Sequence, residues 1–152
     1  MAQALCRTVL VSLTWAAAAC GSTATSSFVA PADPEVTVTS FMNAVQANNL
    51  RAMGQLWGTE SGPMIGRMDA DQLDMRLTVM QRYLVNENYQ ILPARSTATP
   101  SEGRRMYELE LTRLGCVLRV PIELVRVGGG WLVNDVDLTS AGNPGRPCSG
   151  IE

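Results

Sequence analysis

RRMYELELTRLGCVLRVPIELVRVGGGWLVNDVDL, residues 104–138, alternates apolar and polar side chains through most of its length. An extended chain points successive side chains to opposite faces. Tyr107, Leu109 and Leu111 therefore share one face, and Glu108, Glu110 and Thr112 the other. The pattern predicts a strand over 104–113. A second, over 116–127, places Cys116, Leu118, Val120, Ile122 and Leu124 together. Gly128-Gly129-Gly130 then turns the chain, and 131–138 returns as the last strand. The glycine triplet joins two strands and opens no helix, so it reads as a turn and not as a phosphate cradle. A turn centred on Gly129 would set residue 116 opposite residue 142. Upstream, residues 89–98 form a weaker strand interrupted by Pro93, and Pro100-Ser101-Glu102-Gly103 is a turn. Four antiparallel strands in meander order are expected.

Before Tyr89 the period changes from two to helical. Asp33-Pro34-Glu35 is a helix start: a capping carboxylate, a proline in the first turn, and an acid at the positive end of the helix dipole. Val38, Phe41, Met42 and Val45 follow at helical spacing. Asn48-Asn49 interrupts. Leu50, Met53, Leu56 and Trp57 form a shorter stripe that Gly58 ends. Residues 58–70, with Gly58, Gly62, Pro63 and Gly66, read as loop. A third helix runs from Asp71, as its cap, to about Leu84, burying Leu73, Leu77, Met80 and Leu84. The class is α+β: three N-terminal helices packed on a four-stranded antiparallel sheet.

The chain has 152 residues, about one domain, and 46% hydrophobic residues, enough for a packed core. All 12 basic residues are Arg, against 14 acids, for a net charge of −2. That balance argues against nucleic-acid binding, which needs a basic face. With neither His nor Lys in the chain, Ser–His–Asp and Cys–His catalysis, His-ligated metals and lysine Schiff bases are excluded.

The first residues read as an address. Arg7 precedes a 12-residue apolar run, TVLVSLTWAAAA (8–19), too short to cross a hydrocarbon core but suited to an export signal. Ala17, Ala18 and Ala19 lead into Cys20 and Gly21, which resembles the lipobox of bacterial lipoproteins. The resemblance implies cleavage before Cys20, its acylation, and a membrane partner through an N-terminal lipid anchor. Ala17 stands where Leu is usual. The same residues fit an ordinary small-x-small cleavage site with release of a secreted protein, or a buried helix. GSTATSS (21–27) with Pro31 and Pro34 is small, polar and poor in helix formers, so 20–32 reads as a tether of about 20 Å average reach. The expected organisation is a signal over 1–19, that tether, a folded domain over 33–141 and a tail over 142–152. It places the domain in the cell envelope, facing the periplasm or the exterior. Once Cys6 leaves with the signal and Cys20 takes lipid, Cys116 and Cys148 remain as a pair in an oxidising compartment, and a disulfide between them is expected. Two free buried thiols are the alternative.

VTSFMNAVQANNLRAMGQLW (38–57) and VPIELVRVGGGWLVNDVDL (120–138) resemble the opening helices and closing hairpin of the NTF2-like superfamily. The resemblance implies a curved sheet wrapped around a helix as a cone, often with a pocket at its wide end. It spans steroid isomerases, cyclases, dehydratases and non-catalytic envelope modules, so it does not choose a function.

Asp135 and Asp137, two apart, would share a face with Trp131 and Val133. In a pocket they would be desolvated general bases, with Tyr83 or Tyr107 donating a hydrogen bond, as in a carboxylate-based isomerase or dehydratase. Facing water they would be only solubilising, and Leu132, Val136 and Leu138 would be the buried set. Tyr83, Tyr107, Trp57 and Trp131 could line an apolar pocket or simply fill the core. Asp69, Asp71 and Asp74 suit helix capping better than calcium, which would want a glycine and a bidentate Glu at loop spacing. Arg104-Arg105 beside Glu102 reads as a solvated strand end able to touch an anion or a lipid headgroup. No cofactor and no metal are expected. The function expected is that of an envelope lipoprotein whose domain binds a small apolar ligand or an envelope protein without catalysis.

Overall fold

The computed structural model describes residues 28–93 and 103–147. The signal segment, Cys20, most of the tether, residues 94–98 of the first strand, the 100–102 turn and Cys148 lie outside the described residues. Helix α1 (Pro34–Gln46) begins where the Asp33 carboxylate accepts the amides of Glu35 at 2.8 Å and Val36 at 3.0 Å. Those amides have no partner inside the helix, and Pro34 supplies the helical φ without needing one. The helix buries Val38, Phe41, Met42 and Val45. It stops at Asn48, whose φ of 49° is left-handed, a region Asn tolerates better than most residues. Asn49 then caps α2 (Leu50–Leu56) by accepting the Ala52 amide at 3.0 Å.

Trp57 leaves the helix in an extended conformation, bridges Val133 in parallel, and donates its indole N–H to the Asn134 carbonyl at 3.3 Å. The segment read as loop then makes a small hairpin of two two-residue strands, β1 (Gly58–Thr59) and β2 (Gly62–Pro63). It sits flat on Leu132. A Cβ at Gly58 would lie 2.5 Å from the Gly62 carbonyl oxygen and 2.7 Å from Leu132, so this close approach requires glycine.

Helix α3 (Ala70–Leu84) buries Leu73, Leu77, Met80 and Leu84. Its cap is Asp69, which accepts the Gln72 amide at 3.2 Å. The expected cap, Asp71, lies inside the first turn instead. Ala70 is a good helix former, so the cap lies two residues earlier than expected.

The main sheet has the order β3 (Asn88–Pro93), β4 (Arg104–Arg113), β5 (Cys116–Val127), β6 (Gly130–Val136), antiparallel throughout. Leu109, Leu111, Val120, Ile122 and Leu124 face the helices and are fully buried. Helix α1 packs on β6, α2 and α3.

Two expectations about β6 are corrected. Val127 pairs with Gly130, Arg126 with Trp131 and Leu124 with Val133, but Glu123 pairs with Asp135 and Ile122 with Val136. Asn134 is thus an extra residue, a bulge. It shifts the alternation by one, so Trp131, Val133 and Val136 all reach the core, while Leu132 is buried beneath the small hairpin. The strand then ends at Val136, and residues 138–141 run as turns. Residue 116 pairs with Arg113 in the β4–β5 ladder, not with 142.

The tether expectation is corrected at its end. Phe28 packs against the core, and the Trp131 amide donates to the Pro31 carbonyl at 2.8 Å. Residues 28–31 therefore belong to the folded body and lie on the β5–β6 hairpin tip. A Cβ at Gly130 would come 2.3 Å from the Ala30 oxygen. Gly130→Ala is expected to push residues 28–31 off the tip and to cost about 1–3 kcal/mol by overpacking. Faster proteolysis near residue 28 and an earlier urea midpoint would register both effects.

Candidate functional site

The four side chains considered for catalysis do not converge. Asp135 pairs with Glu123, out of phase with the buried residues Ile122 and Leu124, and is exposed. The bulge at Asn134 is the physical reason. Counted by simple alternation, Asp135 shares a face with Val133; with one residue inserted, it does not. Asp137 lies just past the strand and holds a turn. Its carboxylate accepts the Ser140 hydroxyl at 2.6 Å and the Thr139 amide at 3.0 Å, as well as the Thr139 hydroxyl. The Ser140 and Thr139 hydroxyls together hold its pKa below the ordinary carboxylate value, the wrong direction for a general base. Tyr107 pairs with Ile122 on the inner face. Burial first, then the charges of Glu35 and Asp33, raise its pKa, and Arg105 opposes them. Tyr83, on α3, is half-buried and its carbonyl accepts a hydrogen bond from Arg113 at 2.6 Å.

The aromatic set divides in the same way. Trp131 is buried in the core, and Tyr83, Tyr107 and Trp57 pack against its edge. Trp57 lines a shallow hollow of about 320 Å³ together with Met75, Val79, Met80, Leu138 and the catalytic candidate Asp135, which no tyrosine of the set joins there. Met75 and Val79 stand 66% and 46% exposed there.

A larger hollow, about 430 Å³, lies between α2 and α3. Leu50, Ile65, Met68, Leu73 and Leu77 form its apolar wall, and Arg51 and Asp74 are its charged lining residues. An apolar cleft with few polar groups is the ordinary form of a small-ligand site. Leu50, Leu73 and Leu77 were legible as helix stripes. Ile65 and Met68 were missed as lining residues. The available signal was two large apolar residues inside a glycine-rich segment that otherwise reads as solvent-exposed loop. Of the acidic cluster, Asp69 caps α3, Asp71 sits in the first turn, and Asp74 belongs to the cleft.

A second charged feature sits at the hairpin tip. Arg104 is fully engaged: it bonds Glu123 and reaches Glu60 at 2.7 Å, and both carboxylates raise its pKa. Its neighbour Arg105 instead lies over the Trp131 ring, 5.4 Å from the centroid, and Arg126 lies 6.0 Å from the same ring. Two guanidiniums thus share one indole. The Arg104-Arg105 doublet is therefore split, one member neutralised and one free of carboxylates among the described residues.

Cys116 is disulfide-bonded. Its expected partner, Cys148, lies outside the described residues.

No protein-family model matches the sequence, and no curated protein matches it either. Among solved structures, a phospholipid-binding protein from Ralstonia solanacearum, in complex with a phospholipid, aligns with 70% of this chain and 75% of its own. The identity is 10% and the TM-score 0.38.

Proposed function

We propose that this chain is a lipid-anchored envelope protein whose α+β domain, of the NTF2-like kind, binds a small apolar group without catalysis. The observation that supports binding is the α2–α3 cleft, walled by Leu50, Ile65, Met68, Leu73 and Leu77. The anchoring half rests on the apolar run 8–19 followed by Cys20. A disulfide at Cys116 agrees with an oxidising compartment. The carboxylate-isomerase alternative has lost its geometry, since Asp135 and Tyr107 lie on different faces of the sheet and Asp137 is occupied by its turn.

Two measurements test the two halves separately. Intact mass of the protein extracted from membranes is expected to show a chain that begins at Cys20 and carries acyl groups. Cys20→Ser is expected to move the protein out of the membrane fraction. Identical partitioning of wild type and variant would remove the anchor. For the cleft, Ala70→Trp fills it from an exposed lining position without touching the core. The wild type is expected to carry an apolar small molecule into native mass spectrometry and the variant to lose it. Equal occupancy in both would move binding elsewhere.

A further inference from the structure

We infer that the β5–β6 hairpin tip, with Arg105, Arg126 and Val29, is a docking face for the anionic headgroups of the membrane that holds the anchor; this rests on the lipid-anchor reading above. The first support is the geometry of chain exit. Residues 28–31 are fastened to the hairpin tip through the Trp131 amide and the close contact of Ala30 with Gly130. Only eight peptide steps separate Phe28 from Cys20. Fully extended, they span at most about 28 Å. A domain of this size is about 35 Å across. An acylated Cys20 therefore cannot be reached around the body, and the hairpin-tip end is held toward the bilayer.

The second support is charge. Arg105 and Arg126 are exposed and have no carboxylate partner among the described residues. The Trp131 ring beneath them fixes their position without neutralising them. The nearby acids among the described residues are engaged. Asp33 caps α1, and Glu60 and Glu123 hold Arg104. Glu35 lies in the first turn of α1, against the positive end of its dipole. At the same end Val29 is 82% exposed, an apolar side chain placed where it can enter the interface. Each Arg near an anionic surface favours the docked orientation about fivefold.

The test uses the acylated wild-type protein in vesicles of phosphatidylglycerol or of phosphatidylcholine, with amide hydrogen exchange as the readout. Amides of 28–30, 103–105 and 126–130 are expected to exchange about tenfold more slowly on phosphatidylglycerol than on phosphatidylcholine, and high salt should erase the difference. Arg105→Gln with Arg126→Gln should abolish it. So should Val29→Asp, at a position too exposed to affect folding. Arg119→Gln, about 23 Å up the same strand, should leave it intact. Equal exchange on the two lipids, or a difference that survives both the double Arg variant and Val29→Asp, overturns the docking face while leaving the anchor standing. A wild-type protein with no acyl mass that floats with neither vesicle overturns the anchor, and the docking face with it.

Discussion

Arg113→Met is expected to lower the free energy of unfolding by about 3–5 kcal/mol, a larger loss than any surface substitution should cause. Arg113 ends β4 and is only 6% exposed. One guanidinium nitrogen donates to the Tyr83 carbonyl at 2.6 Å, at the last turn of α3, and the other to the Ala141 carbonyl. Two carbonyls that water cannot easily reach are thus satisfied by one charged donor. The negative end of the α3 dipole adds to the attraction. Met fills comparable space but donates nothing, so both carbonyls are left buried and unmatched. Arg113→Lys should recover part of the loss, because an ammonium reaches one carbonyl but lacks the fork that spans two. Urea melts of the three proteins read this directly. Equal midpoints for wild type and Met variant would show that the two carbonyls find water without help.

The second large effect is expected at Cys116, three residues on and paired with Arg113 across the β4–β5 turn. With Cys148 as the proposed partner, the disulfide closes a loop of about 33 residues, and Cys116→Ala should cost about 3–4 kcal/mol. Reductant should shift the wild type to the same midpoint and leave the variant unmoved. A gain of about 2 Da on reduction of the intact chain identifies the bond, and a peptide map assigns the partner. Arg113 and Cys116 act on neighbouring ground. Arg113 holds Ala141, and a bond from Cys116 to Cys148 would hold the segment beyond it, fastening the C-terminal turns to the sheet twice. Losses from the double variant should therefore fall short of additive.

The helix starts and strand spans were readable because they are local. Asp33-Pro34 caps and begins α1 through contacts two and three residues away. The alternation through Leu109, Leu111, Val120, Ile122 and Leu124 repeats at the pitch of the strand. The site was less readable. Asp135 was set on one face with Trp131 and Val133 because alternation was carried straight through Asn134. The bulge there is held by the Asn134 amide on Glu123 at 2.9 Å and by the Trp57 indole on the Asn134 carbonyl, partners 11 and 77 residues away. The small hairpin at Gly58–Pro63 was hidden for the same reason, since Gly58 answers to Leu132.

From the order of residues alone came the class of the fold, its three helices and the approximate spans of its four main strands. Each rests on a period or a cap that a few neighbouring residues complete. Tertiary structure decided which way Asp135 points, that Arg113 is buried, that Phe28 to Pro31 join the body, and that Arg105 parts from Arg104 to meet Arg126 over Trp131. Those outcomes depend on carbonyls, rings and carboxylates brought together from distant parts of the chain, and no local pattern records them.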